Sequence, residues 1–211
     1  MIAVGLFGTE ILLDFTAPAW LALLSLMLPR TVLYRTLAAC VLHESAHLLT
    51  MAVLHRRPSV LRISAAGLCL HMDADALCPT ASLVCILLAG AAANGLAAAG
   101  LFLCGRYGAA SANLSLALLN LLPYSATDGG TLLHFLLTQR CLTQNPERPA
   151  AVLRTVSLLT TLLFAAGLYV SGIRNPSLWG MLVFLTGGQL AAETGPRRKS
   201  RRTAPKTTRS H

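Results

Sequence analysis

Residues 40–49 read CVLHESAHLL, a run that sets His43, Glu44 and His47 among residues otherwise suited to a lipid bilayer. An ionisable group at the centre of a bilayer costs at least about 2.5 to 3.5 kcal/mol, and such groups are kept there with partners and for a function. Whether this run is a membrane span or the core of a water-soluble domain decides the fold. The rest of the chain favours the span. Of its 211 residues 55% are hydrophobic and only 12% charged, and the mean hydropathy is +0.62. A water-soluble domain needs a polar surface that this composition does not supply.

A bilayer core about 30 Å thick takes roughly 20 apolar residues per helical crossing. Working outward on that length, spans are predicted near residues 11–28, 32–54, 81–103, 110–123, 150–172 and 175–193. The expected fold class is an all-α polytopic membrane protein of about six transmembrane helices. Residues 1–195 form its membrane-embedded domain, with a core over 32–138, and 196–211 form a basic tail. Between the second and third spans, HRRPSVLRISAAGLCLHMDADALCPT (55–80) is too polar to cross and alternates apolar positions, which predicts a short strand or hairpin. LAGAAANGLAAAG (88–100) is a helix of small residues that permits close backbone approach.

The net charge of +9 is concentrated at one end: seven of the seventeen Lys and Arg lie in the last fifteen residues of PRRKSRRTAPKTTRSH (196–211). This reads as a cytoplasmic topology anchor beside anionic lipid, not as a nucleic-acid arm. Alternate loops divide the remaining cations, with Arg30, Arg35, Arg106 and Arg174 on one side and Arg56, Arg57, Arg62, Arg140, Arg148 and Arg154 on the other. The excess of positive charge on the second side, with the tail, predicts that both termini are cytoplasmic. The N-terminus has acids and no Lys or Arg, so no cleaved signal peptide is expected. Cys40, Cys69, Cys78, Cys85, Cys104 and Cys141 lack C-x-x-C pairing and read as thiols, neither a disulfide framework nor a cysteine zinc site.

Within residues 40–49, His43 and His47 are four apart and so stack on one helical face, with Glu44 beside the first. This is H-E-x-x-H. Its two imidazoles suit two corners of a tetrahedral zinc ion, and its glutamate suits a base for a water at the metal. A lone histidine on an apolar helix would read as a satisfied core residue; the full pattern at mid-membrane does not. A third ligand is expected from Asp128 in NLLPYSATDGG (120–130), where Pro123 and the Gly129-Gly130 pair break the fourth span and let a carboxylate enter on irregular backbone. Asp-Gly after Pro is also ordinary turn chemistry, and Asp73 and Asp75 stand in reserve as ligands. The second and fourth spans run the same way, so all three groups can meet in the cytoplasmic half. His55, His71 and His134 are secondary metal candidates that more commonly stay solvated.

H-E-x-x-H in one span and N-x-x-P-x-x-x-x-D-G about eighty residues later resembles the site-2 protease family of intramembrane zinc metalloproteases. The match runs over 32–138, with Asn120, Pro123, Asp128 and Gly129 each in the motif's place. Gly90 and Asn94, in AGAAAN (89–94), resemble the small-residue and asparagine motif of the same three-helix core. Ala46 and Ala91 stand where Gly and Pro are common, and both are small. A six-span chain without a PDZ domain looks most like the stage IV sporulation protein FB group, whose members cut a membrane-tethered sigma-factor precursor. That group often has a cystathionine-β-synthase domain where this chain has its basic tail.

The resemblance implies an intramembrane metalloendopeptidase with one zinc ion held by His43, His47 and Asp128 and with Glu44 as the base. The substrate would be a transmembrane or membrane-tethered protein, such as a sporulation sigma-factor precursor or an anti-sigma factor. Asn120 and Asn94 are candidates for holding substrate backbone or oxyanion, Asn120 equally for helix packing. A membrane inhibitor or regulator protein is an implied partner, and the bacterial cell or forespore membrane the implied location. The alternative is a non-catalytic metal-binding membrane protein, or an inactive relative acting as a scaffold, although pure binding has no need of Glu44.

Overall fold

The computed structural model of the chain describes residues 2–6, 9–56, 60–64, 67–71, 79–141, 148–172 and 174–194. Two short strands, β1 (Ile2–Leu6) and β2 (Thr9–Leu13), precede helix α1 (Thr16–Met27) and the longer α2 (Arg30–Val53). Strands β3 (Val60–Ser64) and β4 (Gly67–His71) follow, then α3 (Thr80–Leu103), α4 (Tyr107–Asn120), α5 (Asp128–Cys141), α6 (Arg148–Val170) and α7 (Pro176–Thr194). The strands form one sheet in the order β1-β2-β3-β4. Its hairpins β1/β2 and β3/β4 are antiparallel, and β2 joins β3 in parallel, with Glu10 opposite Val60.

Three helices are long and apolar enough to cross a membrane: α2, α3 and α6. The 24 residues of α2 and of α3 reach about 36 Å at 1.5 Å per residue, more than the bilayer core. Only 22%, 28% and 11% of their most apolar windows are buried within the protein. Leu49, Leu103, Leu163 and Phe184 are among many large apolar side chains that face outward. Water does not tolerate so much contiguous apolar surface, whereas lipid does.

The six-span expectation is matched in part: α2, α3 and α6 stand at the second, third and fifth predicted spans, and at the first and fourth the elements differ in kind or length. Residues 11–13 of the first predicted span are strand, and the helix after them has only 12 residues, about 18 Å. The apolar run there was split between two kinds of element that composition does not distinguish. The fourth predicted span is the 14-residue α4, and a further 14-residue helix, α5, starts at Asp128 where a turn was expected. The seven helices of the described residues agree with the expected helical membrane domain, and the N-terminal hairpin β1/β2 is an addition outside the segment 55–80 where strand was expected. The tail and Asp73 and Asp75, the reserve ligands, lie outside the described residues.

Helices α2, α3 and α4 pack together as the core. Buried positions on α2 include Ala39, His43, His47 and Met51, and on α3 Ile86, Gly90, Asn94 and Ala98. Both rows recur every fourth residue, so each helix presents an i±4 ridge to its neighbour, and Gly90, Ala91 and Ala98 keep the ridge of α3 low. Both long helices end in a Schellman turn. Gly105 (φ +69) closes α3, with Arg106 N–H donating to Leu101 O, and His55 (φ +53) closes α2, with Arg56 N–H donating to Met51 O.

Candidate metal centre

His43 and His47 project from the buried face of α2 into the hollow left by Gly90. A Cβ at that position would stand 2.5 Å from His43 Cε1 and from His47 Nε2. The two rings meet edge to face, with centroids 4.7 Å apart and planes at 82°. Glu44 follows on the same turn and is half-buried.

Asp128 reaches the pair from a broken helix. The backbone of α4 ends at Asn120, and Leu121–Thr127 turns the chain before α5 begins at Asp128. Pro123 has no N–H to continue the α-helical ladder. Thr127 caps α5: its hydroxyl accepts from Gly130 N–H at 3.3 Å and donates toward Tyr124 O at 2.9 Å. Asp128 is then in the first turn of α5, the end of a helix that favours a carboxylate. Gly129 and Gly130 lie within that turn and do not break the helix, as the sequence had led us to expect. A Cβ on Gly129 would run into the backbone of Leu121 and Leu122, and one on Gly130 into that of Tyr124. The glycines let α5 start against the end of α4.

The three side chains meet at one point. His43 Nε2 and His47 Nε2 lie 3.0 and 3.2 Å from the same oxygen, Asp128 Oδ2, and 3.1 Å from each other. Ligands at about 2.0 to 2.1 Å around a tetrahedral ion are roughly 3.3 Å apart, so the triangle approximates one face of such a site. The second ring nitrogen of His47 supports the same arrangement. His47 Nδ1 is 2.7 Å from Ile86 O, and a carbonyl only accepts, so the proton is on Nδ1. In neutral His47, Nε2 is then a lone pair aimed at a carboxylate oxygen and at another imidazole nitrogen, an arrangement that a cation between them stabilises. Among the described residues this is the only group of three or more such side chains placed to hold a metal ion. His55 and His134 are exposed and apart from it.

The site is enclosed on the histidine side and open at the aspartate, whose side chain is 23% exposed against 6% and 5% for His43 and His47. Asn94 is wholly buried and sets its amide nitrogen 3.4 Å from His43 Nδ1. With no exposed surface it is placed to orient His43. Asn120 donates to Leu116 O one turn back at 3.2 Å, as a helix-packing asparagine does.

Several residues around the candidate metal ligands carry little signal in the sequence alone: Thr127, Tyr124, Ser157, Thr161 and Gln189. Tyr124 OH and Thr161 Oγ1 are 2.8 Å apart, Ser157 Oγ donates to Pro123 O, and Gln189 Oε1 accepts from Ser125 N–H at 2.8 Å. A glutamine inside the apolar run of α7 was the one available signal.

No family model matches the chain, and no curated protein matches it. Among solved structures, the site-2 protease from Methanocaldococcus jannaschii is similar in fold, with a TM-score of 0.63 over 90% of this chain and 94% of that one, at 19% sequence identity.

Proposed function

We propose that the chain is an intramembrane zinc metalloendopeptidase that cuts a membrane-tethered protein within or beside its transmembrane segment. The observation that carries this reading is the convergence of His43, His47 and Asp128 on one point, with Glu44 adjacent, in a core whose outer surface is apolar. The donor set of two imidazoles and a carboxylate leaves a tetrahedral ion one corner for water or substrate, the arrangement of catalytic and not of structural zinc. A zinc ion held there would supply Lewis acidity toward a carbonyl or a water.

The chain's own residues account for the rest. Glu44 takes the proton of the attacking water and returns it to the departing amine. The opening beside Asp128 admits water and an unwound peptide, because a carbonyl still bonded within a substrate helix is shielded. Asn120, the last residue of α4, lends its amide to the substrate backbone. Among the described residues β1 and β4 are the edge strands of the sheet, and an extended substrate can add to such an edge as a further strand. Both termini in the cytoplasm, a bacterial cell or forespore membrane, and a sigma-factor precursor or anti-sigma factor as substrate make up the narrower form of the reading. A membrane inhibitor or regulator protein belongs to that narrower form too.

The test is Glu44→Gln, which keeps shape and removes the base. Co-expressed with a single-span membrane-tethered reporter that the wild type cuts, it is expected to leave the reporter intact while retaining zinc. Cleavage at the wild-type rate would overturn the assignment. Zinc bound tightly by the wild type without chelator-sensitive cleavage would instead favour a binding protein.

A further inference from the structure

Breaking a helix inside a membrane exposes backbone groups that the bilayer cannot satisfy, at several kcal/mol each. In the turn between α4 and α5, two such groups are Pro123 O and Ser125 N–H. Both are met from the outer helices: the one hydroxyl proton of Ser157 on α6 is shared between Pro123 O and Leu153 O of its own helix, and Gln189 of α7 accepts from Ser125 N–H at 2.8 Å. Tyr124 lies between them, 1% exposed, with its hydroxyl 2.8 Å from Thr161 of α6, and Thr161 lies 3.2 Å from Thr186 of α7. Ser157 and Gln189 are themselves 1% and 4% exposed. Buried polar groups on otherwise apolar helices are costly and are retained for what they hold. Here they grip the three residues 123–125, a short way before Asp128.

The geometry points to a clasp: α6 and α7, through Ser157, Thr161 and Gln189, position the turn that places Asp128 against His43 and His47. The outer helix pair thereby controls the third metal ligand. If α6 and α7 shift away from the core, Pro123 O and Ser125 N–H lose their partners, the turn relaxes and Asp128 loses its register with the histidines. A substrate or partner that displaces this pair therefore acts on the metal centre without touching it. Gln189 and Ser157 are positioning residues, acting through Asp128. This inference rests on the metal reading of the site.

The experiment measures zinc affinity on the purified full chain by competition with a chromogenic chelator, together with the visible spectrum of the cobalt-substituted protein. Gln189→Met, close in shape but with only a weakly accepting thioether in place of the amide oxygen, is expected to weaken zinc binding by roughly tenfold to a hundredfold, the range for partners that orient ligands, and to alter the cobalt spectrum. Gln189→Glu retains an acceptor and restores most of the affinity. Thr160→Ala removes a hydroxyl bonded within α6, to Val156 O, and leaves affinity unchanged. In an Asp128→Ala background, Gln189→Met has no further effect, because the ligand it positions is gone. Unchanged affinity in Gln189→Met, or the same loss with and without Asp128, would overturn the clasp. Failure of the wild type to bind zinc through His43 would overturn the metal reading as well, and is seen before any clasp variant is made.

Discussion

The methyl group that Gly90 lacks would stand 2.5 Å from His47 Nε2, closer than any carbon and nitrogen can approach without bonding. One hydrogen atom's worth of space on α3 is therefore what lets α2 turn its two imidazoles toward Asp128. Gly90→Ala is expected to retain the helices and lose zinc affinity by at least tenfold, on the scale of a displaced ligand shell. Gly95, on the same helix, has no atom within 4 Å of an added Cβ. Gly95→Ala should therefore leave affinity alone and raise stability by up to about 1 kcal/mol through helix propensity. Chelator competition and thermal unfolding in detergent separate the two, and equal zinc affinities would show that the hollow is not needed.

A carboxylate and two imidazoles gathered at one buried point make a site that a cation stabilises, so zinc should favour the folded chain. Excess zinc over a chelated sample is expected to raise the unfolding midpoint, by about 2.7 kcal/mol of stability at a hundredfold excess over Kd. His47→Ala and Asp128→Ala should abolish most of that rise. A midpoint indifferent to zinc in the wild type would count against the site.

The turn before Asp128 is held locally as well as by the outer helices. Thr127→Ala removes the cap on Gly130 N–H and should cost about 1 kcal/mol, whereas Thr127→Ser keeps a hydroxyl and should cost little. The loss is read in the unfolding midpoint, and a Ser variant as unstable as Ala would place the effect in the threonine methyl.

The two Schellman turns make a complementary pair. His55 closes α2 at φ +53, and Gly105 closes α3 at φ +69 with nothing crowding its α-carbon. The left-handed conformation costs a residue with a Cβ roughly 1 to 2 kcal/mol. Gly105→Ala should therefore destabilise by about 1 kcal/mol, and His55→Gly should stabilise by a smaller amount, because glycine also loosens the unfolded chain. Thermal unfolding of both variants checks the opposite signs.

The histidine half of the site was legible in the sequence for a physical reason: His43, Glu44 and His47 are local, and helical period alone aligns them. Asp128 was legible by chemistry and not by structure. D-G-G read as a helix-breaking turn, but the glycines are needed for close approach in the first turn of α5, a tertiary requirement. The same limit hid the clasp, since Tyr124, Ser157 and Gln189 are brought together only by packing. At the N-terminus, hydropathy alone could not tell the strand Thr9–Leu13 from the start of a span, because an apolar run of that length suits either.

Asn94 faces the other imidazole. Its Oδ1 is buried without a partner, while its Nδ2 is 3.4 Å from His43 Nδ1. Turning the amide over about its last side-chain bond brings Oδ1 to His43 Nδ1–H, which satisfies the orphaned acceptor and leaves His43 Nε2 a lone pair toward Asp128. Both imidazoles then follow one rule: Nδ1–H donates to a carbonyl, that of Ile86 for His47 and that of the Asn94 side chain for His43, and Nε2 faces the point where a cation would sit. Asn94→Leu should weaken zinc binding by about tenfold or more. Asn94→Asp, which still accepts from Nδ1–H, should retain it, and the contrast between these two variants of similar size distinguishes orientation of His43 from filling of space. Leucine and aspartate variants of equal affinity would reduce Asn94 to a packing residue, and the tautomer of His43 would need another source.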